Sequence, residues 1–546
     1  MMLLTTSCSK LGALSADNFN VNPNPLETQA GQVPATVSAH FPEKYMKKNA
    51  VVTVIPELRY SNGAVAQGHS ATFQGEKVMG NDQTVSYRLG GNYTMKTAFD
   101  YLDDNKADMY LTFDARLGKK KVSVPAVKVA DGVIATSELY KRTVGSAQTA
   151  ISPDAFQRIN AHKYDANIKF LIQQANLRQS ELKNNSVQEF VRLLKQINAD
   201  KETLNMNNVE VSAYASPDGG YGLNDKLASQ RQKVSEQYVN QELKKIKMNA
   251  PVDAKYTAQD WEGFQELVKA SNIQDKDVIL RVLSMYQDPE EREQQIKNIS
   301  TAFRELADGI LPELRRSRLT INYETIGRSD DQIKDQLKAD ASQLSIEELL
   351  YCATLQGDNL DKKEDVYKIA TEVYPNDARA YNNLATIAYA KGNYDAARQY
   401  IQQAQAISAN LPEASANLGM LALQAGDVAT AEQYIAQATG ANGLNEVLGN
   451  LHLAQGQYAQ AEQDFEQTYS NSAALAQILN KNYASAAVTL KYVKNADAIT
   501  DYLKAVLAAR MGNQNDAAEA LRSALAKDPT LASYAANDIE LAGVTK

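Results

Sequence analysis

The chain has 546 residues, 44% of them hydrophobic, with a formal net charge of −8 and a pI near 5.4. That length suits about three or four domains, and the acidic balance lacks the basic surface that nucleic acid demands. No run of ~18 or more apolar residues occurs, so no transmembrane helix is predicted. His40, His69, His162 and His452 are too scattered for a zinc set.

At the start stands Leu3-Leu4-Thr5-Thr6-Ser7-Cys8-Ser9-Lys10. An apolar run, small residues and then a cysteine resemble a bacterial lipoprotein lipobox. The resemblance implies that residues 1–8 are a signal remnant and that Cys8 carries lipid, palmitate included. It implies an outer-membrane protein, held by lipid on the periplasmic or surface face and not spanning the bilayer. The stretch Met1–Leu4 lacks the basic n-region of a secretory signal, so the true start is expected upstream. Cys352, beside Leu349, Leu350 and Tyr351, is expected to be a small core residue. Residues 9–40 read as a flexible tether, because Asn22-Pro23-Asn24-Pro25 and the Gln/Ala/Gly/Thr-rich stretch to Pro34 show no apolar period.

Residues 41–148 carry strand signals. Val51–Ile55 is β-branched, Thr84–Leu89 and Met109–Phe113 alternate, and Val122–Val124 and Val127–Val129 follow. Asn62-Gly63, Gly80-Asn81-Asp82, Gly90-Gly91 and Asp131-Gly132 mark turns between them, which predicts a β-sandwich-like domain. Lys119-Lys120-Lys121 is expected at a solvated hairpin.

Residues 155–328 run strand, helix, strand, helix, insert, strand. Asn167–Leu177 is a strand candidate, and Ser186–Ile197 places Val187, Phe190, Val191, Leu194 and Ile197 on one helical face. Val209–Tyr214 is a second strand and Leu223–Leu243 a second helix. Leu311–Tyr323 ends in a strand, after an insert at about 247–311 that holds Trp261, the one tryptophan and an expected core anchor. This order predicts a mixed sheet with helices on one face, an α+β domain with a helical insert.

The stretch Val209 to Arg231, with Ala215-Ser216-Pro217-Asp218-Gly219 after the strand and Asn224, Leu227 and Arg231 on the next helix, resembles the OmpA C-terminal family. The Ala-Ser-Pro-Asp-Gly version is similar to a branch found in envelope proteins of Bacteroidetes. The resemblance implies peptidoglycan binding, in which a loop Asp and the helix Arg grip the diaminopimelate of the stem peptide. An Arg fork matches a carboxylate bidentately. Arg231 holds the Arg position, Asn224 and Gly219 match, and Ser216 stands where the family has Asp, with Asp218 two residues later. Two readings stay open: Asp218 substitutes for the family Asp, or Arg231 pairs with Asp225 or Asp218 to fix the loop.

From about 340 to 540 the pattern is helical and repetitive. Tyr381, Leu384, Ala385, Ala388, Gly392, Tyr394, Ala397, Ile401 and Ala404 recur 34 residues on as Leu418, Gly419, Ala422, Gly426, Ala431, Ile435 and Ala438, with further copies to Pro529. This resembles tetratricopeptide (TPR) repeats, about five or six of them. The resemblance implies an α-solenoid whose concave face binds proteins. No Lys or Arg occurs between Arg398 and Lys481, so clamp-type capture of a peptide carboxylate is not expected and a neutral or basic partner is.

No nucleophile elbow, phosphate-cradling loop or HExxH signature appears, so neither an enzyme nor a cofactor is expected. The sequence points to an envelope scaffold that contacts proteins and the cell wall, or to an accessory of an outer-membrane assembly or secretion machine.

Overall fold

The computed structural model describes residues 11–102, 106–273, 275–298 and 305–544, so Cys8 lies outside the described residues. The chain divides into two compact units. One joins the residues up to 154 with those from 341 onwards; the other is 155–340.

The N-terminal part of the first unit is β-rich. Strands β1 (Phe19–Asn22), β2 (Gln32–Phe41), β3 (Ala50–Tyr60), β4 (Ala71–Gly75), β5 (Gly91–Asp100), β6 (Ala107–Leu117) and β7 (Val127–Asp131) form two main sheets. One has the order β1-β2-β5; in the other β3 lies between β4 and β6, and β7 pairs with β6. Val33, Val37, Phe41 and Phe99 from the first meet Val52, Val54, Leu58, Met109 and Leu111 from the second in one core.

The expected tether is therefore folded over its described residues, 11–40. Val33, Ala35, Val37, Ala39 and Phe41 alternate along β2 and are all buried, and Leu11, Leu14, Val21 and Leu26 join them. The apolar period is present but diluted by alanine, serine and threonine, and β2 pairs with β5 along its whole length. The Thr84–Leu89 strand shortens to Gln83–Val85, because the chain turns at Gly90, where φ is +68°.

The short strand Val133–Ile134 pairs in parallel with Leu26–Glu27. Beyond it the chain leaves the sheets. It makes helical turns over 136–146, including α1 (Tyr140–Thr143), then runs without helix or strand from 147 to 158.

The second unit is built on β8 (Ile159–Lys169), α2 (Asn185–Ala199), β9 (Leu204–Tyr214), α3 (Tyr221–Lys245), β10 (Val252–Thr257) and β11 (Arg316–Ile326). The sheet order is β8-β11-β9-β10, with β9 and β10 parallel and the other pairs antiparallel. Asn184 caps α2, its Oδ1 accepting from the Val187 amide at 2.8 Å. Val187, Phe190, Leu194 and Ile197 pack on Ile168, Val209, Val211, Leu319 and Ile321, so the predicted helical face is the one buried.

Two boundaries differ from the sequence reading. The first strand begins at Ile159 and stops at Lys169, because its early residues are polar and exposed at a sheet edge, and 170–177 is loop. β10 is an unpredicted strand, so the insert begins after Thr257 and not near 247. Charged Asp253 and Lys255 mask its Val252/Ala254/Tyr256 alternation. The insert, with α4 (Trp261–Ala270), α5 (Lys276–Met285) and α6 (Pro289–Asn298), has its own core around Phe264, Val268, Ile279, Leu283 and Leu311. Trp261 meets Phe264 edge-on at 5.7 Å.

The C-terminal part of the first unit is a stack of helix pairs: α7 (Ile346–Thr354) with α8 (Leu360–Val373), α9 (Ala378–Ala390) with α10 (Tyr394–Ile407), α11 (Pro412–Gln424) with α12 (Val428–Ile435), α13 (Leu444–Ala454) with α14 (Tyr458–Asp464), α15 (Asn471–Leu479) with α16 (Tyr483–Tyr492), and α17 (Ala498–Arg510) with α18 (Gln514–Lys527). The repeated residues explain the pairing. Gly392, Gly426, Gly456 and Gly512 end the first helices at φ between +73° and +80°, where an L side chain is strained. The next residue then caps the second helix: Asn393, Asp427 and Asn513 each accept a backbone amide three residues on. Small residues let the helices touch; a Cβ at Gly419 would lie 2.4 Å from Ile435 Cγ1. Cys352 is fully buried in α7, as expected.

Candidate functional site

Asparagine is a poor residue for a helix interior, because its side chain competes for nearby backbone groups. Yet Asn382 and Asn383 in α9 and Asn417 in α11 are buried. Their partners lie more than 200 residues away in sequence, on the segment that leaves the β-rich region.

Asn417 accepts the Ala150 amide at 2.7 Å and donates to the Ala150 carbonyl at 2.8 Å. Asn383, one repeat earlier, accepts the Ser152 amide at 2.8 Å and donates to the Ser152 carbonyl at 2.9 Å. One primary amide offers a donor and an acceptor side by side, so each pairs with a residue's backbone as a neighbouring strand would. Asn382 Nδ2 donates to the Ala150 carbonyl at 3.1 Å and to Ser152 Oγ at 3.0 Å. Its own Oδ1 is held by Asn417 Nδ2 at 2.9 Å.

Further contacts extend the row. Asn442 Nδ2 donates to the Ile151 carbonyl, Tyr389 OH to the Val144 carbonyl, and the Gln148 amide to Glu446 Oε1. Leu139, Tyr140, Val144, Ala147 and Ala150 belong to the solenoid's core and not to that of the sheets. Residues 135–152 therefore fill the face formed by the first helices of successive pairs.

The electrostatics of this face are set by carboxylates without nearby cations in sequence. Burial pushes the Glu446 carboxyl up to about 7, opposed by the Gln148 N–H. Glu413 accepts from the Asn442 amide at 3.1 Å, and Glu462 accepts from Asn480 and Asn482 at 2.6 and 2.5 Å. Glu413 and Glu446 are thus hydrogen-bonded within the solenoid, while Glu432 and Glu466 are exposed.

In the second unit, Ser216, Asp218, Asn224 and Arg231 come together where β8 and β9 end. Asn224 Nδ2 donates to the carbonyls of Ser216 and Gly219 at 2.9 and 2.8 Å, fixing the loop. Ser216 Oγ bonds to Asp218 Oδ1. Arg231 is 1% exposed. Its Nε donates to the Gln174 carbonyl at 3.0 Å, its Nη1 to Tyr214 at 2.8 Å and its Nη2 to Leu171 at 3.3 Å. Its guanidinium also lies over the Phe170 ring, 5.1 Å from the centroid. Burial first, then Arg315, pulls its pKa down to about 10, with Asp218 opposing.

Neither Asp225 nor Asp218 is a hydrogen-bond partner of Arg231 there. Asp218 pairs instead with Arg315, Oδ2 to Nη2 at 3.0 Å, and Arg315 Nε also reaches Ser216 Oγ at 3.3 Å. Arg315, Arg316 and Arg318 stand almost side by side in the sequence. The structure separates them: Arg316 pairs with Asp260 at 3.1 Å, at the start of the insert. Arg231, Arg315, Asp218, Ser216 and Asn224 line a cleft with room of about 60 Å³ for water-sized molecules. Two guanidinium groups against one carboxylate leave it positive, which suits a small anionic group.

Residues 135–148, expected in the β-sandwich-like domain, pack instead with the solenoid's core, and three asparagines inside apolar helices are the sequence signal for such buried partners. Among the described residues, no helix is long and apolar enough to cross a membrane, and no group of three or more His, Cys, Asp or Glu is placed to hold a metal.

A tetratricopeptide repeat family model matches residues 364–412. No curated protein sequence matches the chain. Among solved structures, it is similar to a tetratricopeptide repeat protein from Parabacteroides merdae ATCC 43184, at 16% identity over 39% of this chain and 90% of that one, with a TM-score of 0.27. It is similar to pilF of Pseudomonas aeruginosa at 19% identity, over 38% of this chain and 97% of that one, with a TM-score of 0.26. YrrB, a TPR protein with an unusual peptide-binding site, is 17% identical over 37% of this chain and 94% of that one, with a TM-score of 0.21. The C-terminal region is a TPR solenoid.

Proposed function

We propose that this protein is a non-enzymatic scaffold of the cell envelope, anchored by lipid on Cys8, whose TPR solenoid binds protein segments. The observation that carries the binding role is the paired reading of Ala150 and Ser152 backbone by Asn417 and Asn383. A surface that pairs with main chain recognises protein, not a small metabolite. In this reading the OmpA-like unit contacts the cell wall through the cleft of Arg315, Asp218 and Arg231. The alternative is an accessory subunit of an outer-membrane assembly or secretion machine that does not bind peptidoglycan. It is favoured by the engagement of Arg231 with three backbone carbonyls and of Asp218 with Arg315.

The test is sedimentation of the purified full chain with isolated sacculi. The wall-binding reading expects co-sedimentation that Asp218→Asn weakens at least tenfold. Absence of co-sedimentation assigns the second unit to the accessory role. Detergent partitioning of the precursor and its Cys8→Ala variant, expressed in the native host, tests the anchor. Wild type found in the aqueous phase refutes it.

A further inference from the structure

The segment that fills the solenoid is held in two different ways. Over 136–144 it is anchored by large apolar side chains, Leu139, Tyr140 and Val144, which are part of the helical core. Over 147–152 the only buried apolar side chains are those of Ala147 and Ala150, while Ser146, Gln148 and Pro153 are exposed. There the hold is backbone pairing to asparagine amides. Burial of apolar surface is the dominant favourable term in docking a segment, and a hydrogen bond to protein largely replaces one to water. The second half is therefore held far more weakly than the first.

We infer that the solenoid face around Asn383 and Asn417 is a binding site for an extended segment of a partner protein, that residues 147–152 occupy it in cis, and that a partner segment of the pattern small-x-Ser displaces them. This rests on the scaffold reading above and specifies its ligand. The pattern follows from the contacts. Asn417 and Asn383 pair with residues two apart, which requires extended backbone. Ala150 is fully buried, so its position admits only a small side chain. Ser152 Oγ sits 3.0 Å from Asn382 Nδ2, so its position favours a hydroxyl. Ile151, between them, is only partly buried and tolerates variation. Glu446 accepts the amide two residues before Ala150, which disfavours an acidic residue there. The pairing uses internal backbone groups on both sides, so the ligand is an internal segment and not a chain terminus. A tethered occupant has an effective concentration near the millimolar range, so the intact protein masks the site from a free peptide.

The experiment uses the full chain and a fluorescent peptide copying residues 145–154, followed by anisotropy. Ala150→Arg expels the cis segment by size and charge, and this variant is expected to bind the peptide at least tenfold more tightly than wild type. Adding Asn417→Ala to it is expected to remove that gain, and a peptide carrying Arg in place of Ala150 is expected not to bind. Equal binding by wild type and Ala150→Arg overturns the inference. Hydrogen exchange on the wild type decides independently of whether the variant folds. The Ala150 and Ser152 amides are expected to exchange at least tenfold faster than interior amides of α9 and α11, as local opening requires. If they exchange at the rate of those helices, the segment is a fixed part of the core and no exchangeable site exists. That result leaves the envelope and wall assignments standing, since sacculus sedimentation and Cys8 partitioning test other parts of the chain.

Discussion

The solenoid face and the cleft of the second unit solve the same problem with different chemistry. Both use side chains to satisfy backbone groups that no helix or strand pairs. On the solenoid, neutral amides of Asn383 and Asn417 each take one donor and one acceptor of a segment remote in sequence. In the second unit, one buried cation takes three carbonyls, two from the loop after β8 and one at the end of β9. A neutral amide left without its segment is rehydrated at modest cost. A buried guanidinium and three carbonyls that lose one another leave charge and dipoles stranded in low dielectric. The first arrangement is suited to exchange; the second is a permanent rivet.

The largest expected effect comes from Arg231. Arg231→Met keeps much of the side-chain volume but strands the carbonyls of Leu171, Gln174 and Tyr214. An unsatisfied buried acceptor costs about 1–3 kcal/mol, so the second unit should lose roughly 3–5 kcal/mol after partial relaxation toward water. Trp261 is the only tryptophan and lies in this unit, so its fluorescence follows the transition through urea unfolding of the full chain. A shift of less than about 1 kcal/mol, together with loss of sacculus binding, would make Arg231 a ligand residue and not a rivet. Arg315→Ala is the contrasting variant. Its pair with Asp218 is partly open to solvent and should matter less for stability.

A smaller effect sharpens the other side. Burial raises the Glu446 carboxyl to about 7 from its ordinary value near 4.5. Between those values the folded state holds a proton that the unfolded state has released. Stability therefore falls as pH rises from about 4.5 to about 7, and the penalty is constant above that. The nominal size is about 3 kcal/mol at 1.36 kcal/mol per unit. Glu446→Gln removes the titration while keeping an acceptor for the Gln148 amide. Thermal melts from pH 5 to pH 8, followed by helical circular dichroism, should show wild type losing ground to Glu446→Gln as pH rises and matching it near pH 5. A difference independent of pH would mean that Glu446 stays ionised and the face is wetter than its packing implies.

How much of this was legible in the sequence depends on distance along the chain. The repeats were legible because Gly392 and Gly426, or Ala397 and Ala431, each do a local job at a fixed period. The helical face of α2 was legible for the same reason, and the stretch from Ser216 to Arg231 was legible as a loop followed by a helix because its members are close in sequence. The fold of residues 15–41 was obscured because alanine, serine and threonine flatten the alternation of β2, and its partner β5 lies some 60 residues on. The role of Arg231 was not legible, since its acceptors are backbone atoms that carry no residue identity. The segment at 147–152 was hardest: it has no period of its own, and its partners lie 231 and 267 residues away. Only the asparagines in α9 and α11, out of place in apolar helices, hinted at it.

The repeat pattern is broken at one turn between paired helices. Gly392, Gly426, Gly456 and Gly512 occupy the left-handed region between paired helices, and Lys481 stands at the same place between α15 and α16 with φ of +64°. Asn482 after it still caps α16, accepting the Ser485 amide, so the turn is kept despite the lysine. Left-handed backbone costs an L residue with a Cβ about 1–2 kcal/mol. Glycine removes that strain but gains about 0.4–1 kcal/mol of unfolded-state entropy. Lys481→Gly should therefore stabilise the α15–α16 pair by up to about 1 kcal/mol. Amide exchange is the suitable measurement, because a multidomain chain has no single unfolding free energy while exchange reports each pair separately. Protection in α15 and α16 should rise by up to about fivefold, with α9 and α10 unchanged as the internal reference. A fall in protection would show that the lysine side chain contributes more at this turn than its backbone strain removes.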